Sequence, residues 1–306
     1  MNRRHFIAAC SALSAAASSA RMLSAIAAPA HAHVLGLQLF TVMTLLEKDF
    51  AGTLKAIAEI GYKEVETIGS FGREPKQVRA LLDKYGLVSP SQHLVPGSLY
   101  DVFSRFTRHE LAVEEVKRQW LREMSVERVT PIIEEGIARA RVLGQKYLVW
   151  QIIWPEQMQT RELMDGFCHA LNTAGELCTR AGLVFNYHNH AAEFKAVNGY
   201  VPYDVILAGT NPKTVKLEMD VYWAYQAKID PIKYFARNPG RYVQCHLKDS
   251  TANGDFATVG RGVLDFPKIL KACREAGIEH YYVEYDRSDD PMAVSRDAFR
   301  YLQPLL

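Results

Sequence analysis

Cysteine is scarce in this chain, with five in 306 residues and none in a Cys-x-x-Cys pair. That excludes a thiolate zinc ribbon and a disulfide-dense scaffold. Beyond Cys10, the residues Cys168, Cys178, Cys245 and Cys273 read as small buried apolar side chains, with a Cys168 to Cys178 bridge as the lesser alternative. An excess of one charge is also lacking, since 36 Lys and Arg face 34 Asp and Glu. A near-neutral chain makes no electrostatic claim on nucleic acid or on an anionic membrane. A Gly-rich phosphate loop is missing where an open dinucleotide-binding sheet needs one, because Leu39-Phe40-Thr41-Val42-Met43 follows the first strand. What the chain does have, 48% hydrophobic residues with ordinary glycine and proline, excludes disorder, collagen-like repeats and a coiled coil.

The first 32 residues differ from the rest. Asn2-Arg3-Arg4-His5-Phe6 leads into an acid-free Ala, Ser and Leu run that ends at Ala28-Pro29-Ala30-His31-Ala32. A basic start, an apolar centre and small residues at the end make a secretory signal, and its paired arginines resemble the twin-arginine export signal. Residues 1–32 are therefore expected to be removed, with the export machinery as a partner and the periplasm or the exterior as destination. Ser14, Ser18, Ser19 and Arg21 make the run too polar and too short for a stable membrane anchor, which needs about 20 apolar residues. Cys10 precedes any sufficient apolar stretch, which argues against a lipoprotein. Without this leader the chain carries 33 basic against 34 acidic residues.

From Val34 onward, short β-branched or aromatic runs alternate with amphipathic stretches, the pattern of βα units on a parallel sheet. Eight runs are expected as strands: Val34–Phe40, Tyr62–Ile68, Leu87–His93, Lys146–Ile152, Leu183–His188, Val215–Asp220, Tyr242–Leu247 and His280–Glu284. Glycines such as Gly86, Gly144 and Gly277 stand where helices should stop before the next strand. Eight units in residues 33–306 predict one α/β domain, a closed (β/α)8 TIM barrel, over an open doubly wound sheet. Residues 94–129 break the rhythm as an insertion after the third strand. Their charge reads as a solvated helical face, and their position also suits a lid or a homo-oligomer contact.

In such barrels the chemistry lies where strands end. The ends carry Glu66, His93, His188 and His190, Asp220, His246 and Lys248, and Glu284. Imidazoles and carboxylates on four adjacent strands make up a divalent metal site, suited to Mn²⁺, Zn²⁺, Co²⁺ or Mg²⁺. Taken singly, each has a plainer role: a strand-end histidine is commonly a hydrogen-bonded scaffold residue, and Asp220 suits a helix cap. Phe40, Trp150, Trp154, Tyr222 and Trp223 are placed to stack on a sugar, or to pack in the core.

Several motifs together resemble the sugar phosphate isomerase/epimerase family with its xylose isomerase-like barrel. They are Leu35-Gly36-Leu37-Gln38, Val65-Glu66, Tyr187-His188-Asn189-His190 with Glu193-Phe194, Asp220-Val221-Tyr222-Trp223, His246-Leu247-Lys248-Asp249, and Val259-Gly260-x-Gly262 before Asp265-Phe266. The resemblance implies a metal held at Asp220, His246 and Glu284. The fourth family ligand, a glutamate, falls on His188, so a two-glutamate epimerase mechanism does not carry over. It implies proton abstraction beside a carbonyl of a sugar or keto-sugar, with Glu284, His190 or His188 as base and Lys248 on the developing oxyanion, and with Glu66, His93, Trp150, Trp223 and Phe40 holding the substrate. Reprotonation would give an isomerase or epimerase; loss of a β-substituent would give a lyase or dehydratase on a keto-glycoside or inosose-like compound. An exported sugar-binding protein without chemistry ranks lower. A repair nuclease of the same superfamily conflicts with the neutral charge.

Overall fold

The computed structural model describes residues 34–306; the expected export signal lies outside them. Eight parallel strands close into one barrel in chain order: β1 Val34–Gln38, β2 Glu64–Ile68, β3 Val88–His93, β4 Tyr147–Trp150, β5 Val184–His188, β6 Val215–Asp220, β7 Tyr242–Leu247 and β8 His280–Val283. Closure is made by β1, which pairs with β2 on one side and with β8 on the other, Val34 opposite His280 and Leu37 opposite Val283. The open-sheet alternative is thereby excluded.

Helices α1 Met43–Lys48, α2 Phe50–Ile60 and α3 Pro75–Tyr85 precede β3; α4 Gly97–Thr107, α5 Val113–Glu123 and α6 Val129–Leu143 follow it. The ring continues with α7 Arg161–Arg180, α8 Pro202–Gly209, α9 Val221–Gln226, α10 Pro231–Arg237, α11 Phe266–Ala276 and α12 Pro291–Leu302. Their starts follow capping chemistry: Asp49 accepts from Gly52 N, Thr160 from Leu163 N and Asp290 from Ala293 N. Gly144 and Gly277 end α6 and α11 in the left-handed conformation that a glycine adopts without strain. Among the described residues no helix is long and apolar enough to cross a membrane.

The strands alternate in a way that separates two chemistries. Leu37, Val65, Leu148, Phe185, Leu217 and Leu247 are fully buried in the apolar core that the strands share with the helices. The intervening positions point into the barrel and are polar, with Gln38, Glu66, Ser91, Asn186, Glu218 and Gln244 at 0% exposure. They bond to one another: Gln38 and Ser91 donate to Glu66, and Asn186 donates to Gln244. The aliphatic filling usual in such barrels is replaced here by a hydrogen-bonded interior. Gly36 admits the Tyr282 ring to this interior, since a Cβ there would lie 2.5 Å from Tyr282 Cδ1.

One expectation needs correction. Trp150 occupies an outward position of β4, is 1% exposed, packs edge-on against Phe167 and donates to Ile152 O. Strand alternation turns it toward α7, so it is a core residue and not a substrate contact. The cysteines are as expected: Cys168, Cys178, Cys245 and Cys273 are free and buried, and the lesser alternative of a Cys168 to Cys178 bridge is not formed.

Candidate active site

Alternation also explains how the strand-end residues meet. His93 on β3, His188 on β5, Asp220 on β6 and His246 on β7 occupy inward positions, and Lys248 and Glu284 continue the inward rows of β7 and β8 by one step. Barrel closure then brings them into two fused clusters. In the deeper one, Glu218 Oε2 lies 3.0 Å from His93 Nε2, 2.9 Å from His188 Nδ1 and 3.3 Å from His246 Nε2. Toward the mouth, His246 Nδ1 is 2.7 Å from Glu284 Oε2, and the Lys248 ammonium is 3.1 Å from Asp220, 2.8 Å from Glu284 and 2.8 Å from Asp286.

Each group is tuned by this company. Burial works against charge on Glu66 and Glu284, yet His93 and His246 beside the first, and Lys248 and His246 beside the second, hold both carboxyls well below the usual range. Burial opposes the charged form of His93 as well, but Glu66 and Glu218 push its pKa up to about 9. His246 is raised in the same way by Glu218, Glu284 and Glu66. His188 and His190 go the other way. Burial and the positive charge of His246 lower His188, and burial with Lys248 takes His190 down to about 3, so both rings are neutral at pH 7. Burial lifts Asp286 to about 6.

The donor set suits a divalent ion. Ligand atoms of Asp220, His246 and Glu284 lie within 4.8 Å of one another, as do those of His93, His188, Glu218 and His246. Glu66, Glu218, Asp220 and Glu284 are buried, with Asp286 partly buried beside them, and these five carboxyls face three cationic side chains, Lys248, His93 and His246, a negative excess that favours a further cation. Glu218 Oε1 is buried without a hydrogen-bond partner among the described residues. Asp220 keeps its structural task too, since Oδ1 accepts from Trp223 N at the start of α9 while Oδ2 faces Lys248. His188 joins a ligand group and His190 does not.

Above the clusters opens a cavity of about 580 Å³ whose wall includes His93, His188, His190, Lys248 and Glu284, together with Phe40 and Trp223. Glu66 does not reach it. Its carboxylate takes Gln38, Ser91 and His246 Nε2 beneath the mouth, so Glu66 supports His246 instead of touching a substrate. Reading strand ends alone missed Glu218, which stands two residues before Asp220 and so shares its inward face, and Asp286, two residues beyond Glu284. The period-two rule applied from Asp220 and Glu284 finds both. Glu193 was quoted as a motif without a role; it accepts from Tyr187 OH and from His190 N, fixing the loop that carries His190.

A closed α/β barrel with imidazoles and carboxylates gathered at the C-terminal mouth is the arrangement of a TIM-barrel enzyme. The chain belongs to the xylose isomerase-like TIM barrel family, whose model matches residues 54–305. A solved sugar phosphate isomerase/epimerase from Parabacteroides distasonis ATCC 8503 is 27% identical, with a TM-score of 0.73 over 89% of this chain and 98% of that one. An inosose dehydratase of Geobacillus kaustophilus is 24% identical over 267 residues, 78% of this chain and 80% of its own length. Another, from Lacticaseibacillus casei, is 21% identical over 282 residues, 84% of this chain and 89% of that one.

Proposed function

We propose that this enzyme removes the proton beside the carbonyl of a keto-sugar or keto-polyol and that a substituent β to that carbonyl is then expelled. The observation that carries this reading is an asymmetry. Glu284 is bound by His246 and Lys248, whereas His190 faces the cavity as a neutral ring whose Nδ1 has no partner among the described residues. This supports one general base, His190, beside a fixed ammonium, over two matched bases exchanging protons on opposite faces.

His190 accepts the proton from the carbon next to the carbonyl. Lys248, held by three carboxylates, stands ready for the oxygen on which negative charge collects. The C–H pair becomes a C=C bond, the bond to the β-oxygen breaks, and the departing oxygen keeps its electron pair and takes up the proton that His190 removed. Nothing is oxidised or reduced. Asp220, His246 and Glu284, with His188 beside them, would hold a divalent ion. When bound, that ion would polarise the substrate oxygen as a Lewis acid.

The relatives named inosose dehydratases support elimination, and the likeness to the Parabacteroides isomerase/epimerase keeps reprotonation as the second reading. The twin-arginine-type leader supports an exported, periplasmic enzyme and a substrate without phosphate. The test is incubation of the Mn²⁺-loaded protein with 2-keto-myo-inositol and with methyl 3-keto-glucoside in D₂O. Enone formation together with deuterium in recovered substrate is expected. An epimer carrying deuterium would establish the second reading, and recovery of unlabelled, unchanged substrate would overturn both.

A further inference from the structure

The cavity above the site is larger and more apolar than a sugar ring requires. At about 580 Å³ it falls within the range of pockets for drug-sized ligands, roughly 300–1,000 Å³. Its far wall is built by the insertion: Phe103 and Phe106 from α4, Val116 and Trp120 from α5. Phe256, from the short hairpin after β7, and Trp154 complete it. The insertion's charge is confined to its outer side, where Arg108 pairs with Glu47 and Lys117 with Glu156. A merely solvated face would not bury Trp120 to 1% exposure over the barrel mouth.

Behind that wall lie unpaired polar atoms. The indole N–H groups of Trp120, Trp154 and Trp223 are buried without a hydrogen-bond partner among the described residues, as is the amide oxygen of Gln151. Buried donors are nearly always paired in folded proteins. Three indoles and the rings of Phe103, Phe106 and Phe256 around one cavity point to a ligand that carries a flat aromatic surface as well as the oxygens of a sugar. Free sugars do bring oxygen, yet they offer too little flat apolar surface for Phe103, Phe106 and Phe256 together.

We infer that this chamber receives an aromatic, oxygen-bearing aglycone, so that the substrate is a keto-sugar joined through its β-oxygen to an aryl group. The inference rests on the eliminating chemistry proposed above and names its leaving group. A phenolic oxygen, with a pKa of about 10, departs more readily than hydroxide, whose conjugate acid has a pKa of about 15.7. A site that presents an ammonium and a neutral imidazole in place of a strong acid suits such a group. The bond broken is the one between the sugar carbon and the aryl oxygen, and its electron pair leaves with the phenol.

Binding to the mature protein can be read without turnover, through quenching of tryptophan fluorescence by phenyl β-glucoside and by methyl β-glucoside. The aryl compound is expected to bind at least tenfold more tightly. Trp120→Ala, and Phe106→Leu as a milder change should the first fail to fold, should bring the aryl-to-methyl ratio toward one. Equal affinity for the two glucosides, or a ratio that neither variant moves, overturns the assignment. The two proposals fail separately. Turnover of methyl 3-keto-glucoside without aryl preference removes the chamber and leaves the chemistry. Aryl preference without turnover of any keto-glycoside keeps the chamber and removes the chemistry.

Discussion

The deep cluster and the chamber above it are neighbours built by opposite rules. In the cluster the polar side chains bind one another, with Glu218 Oε1 left over among the described residues: Glu218 Oε2 takes three imidazoles and Glu66 takes a glutamine, a serine and a histidine. In the chamber the polar atoms are few and several are unpaired. A saturated network fixes geometry, whereas unpaired donors in an aromatic wall leave recognition to whatever enters. The barrel strands supply the first region and the loops and insertion supply the second, which separates reaction type from substrate identity in the chain itself.

The separation breaks most visibly at Asp220 and His190. Asp220→Ala should remove bound metal and lower turnover by about 10³-fold or more, because it deletes a proposed ligand and takes from Lys248 one of its three carboxylates. His190→Gln should retain one metal per chain and still lose about 10²- to 10⁴-fold in kcat, the span of a general base. Elemental analysis beside steady-state kinetics reads both. Parallel loss of metal in the two variants would place His190 with the ligands. His188→Gln refines the contrast: metal loss is expected, since the ring reaches Asp220 at 3.7 Å through Nε2 and Glu218 through Nδ1.

A smaller effect is expected from pH. Both ring nitrogens of His246 face carboxylates, Nδ1 toward Glu284 and Nε2 toward Glu66, and its pKa is raised well above the ordinary value. A metal ligand must be deprotonated, so binding expels a proton, and affinity should climb by about tenfold per pH unit while His246 is protonated without metal. Calorimetry in buffers of different ionisation enthalpy measures that proton. Glu66→Gln removes one of the carboxylates that hold the imidazolium, orients His246 less firmly, and should change metal affinity by about 10- to 100-fold.

The sequence carries most of the frame and part of the site. Helices Phe50–Ile60 and Phe266–Ala276 begin at an Asp cap and stop at a glycine, signals that stand in the chain itself, with Pro267 added at the start of the second. Strands come out shorter than their hydrophobic runs: the first ends at Gln38, where a tight turn takes over Leu39–Val42. Ligand-type residues at strand ends were legible because alternation and closure are local rules. Trp150 was misplaced because residue type alone does not state which face it occupies. The apolar inner side of the insertion was masked by its charge, although Val116 and Trp120 are four residues apart on one helical stripe.

The loop between β7 and α11 ties the two regions together and offers the gentlest test. Asp249, next to Lys248, accepts from the backbone of Ser250, Gly260, Gly262 and Leu264 at 2.8–3.1 Å, and so pins the hairpin that carries Phe256. A Cβ at Gly262 would stand 2.3 Å from both Asp249 Oδ1 and Ser250 O, which explains the glycine in the Val259-Gly260-x-Gly262 motif. Gly262→Ala should cost about 1–3 kcal/mol, seen as a lower urea midpoint with an unchanged slope. Because the strain falls on the hairpin and not on the strands, metal content should stay at the wild-type level while aryl preference weakens. Loss of metal in Gly262→Ala would show that the loop also holds Lys248 in place, and would join the two regions instead of separating them.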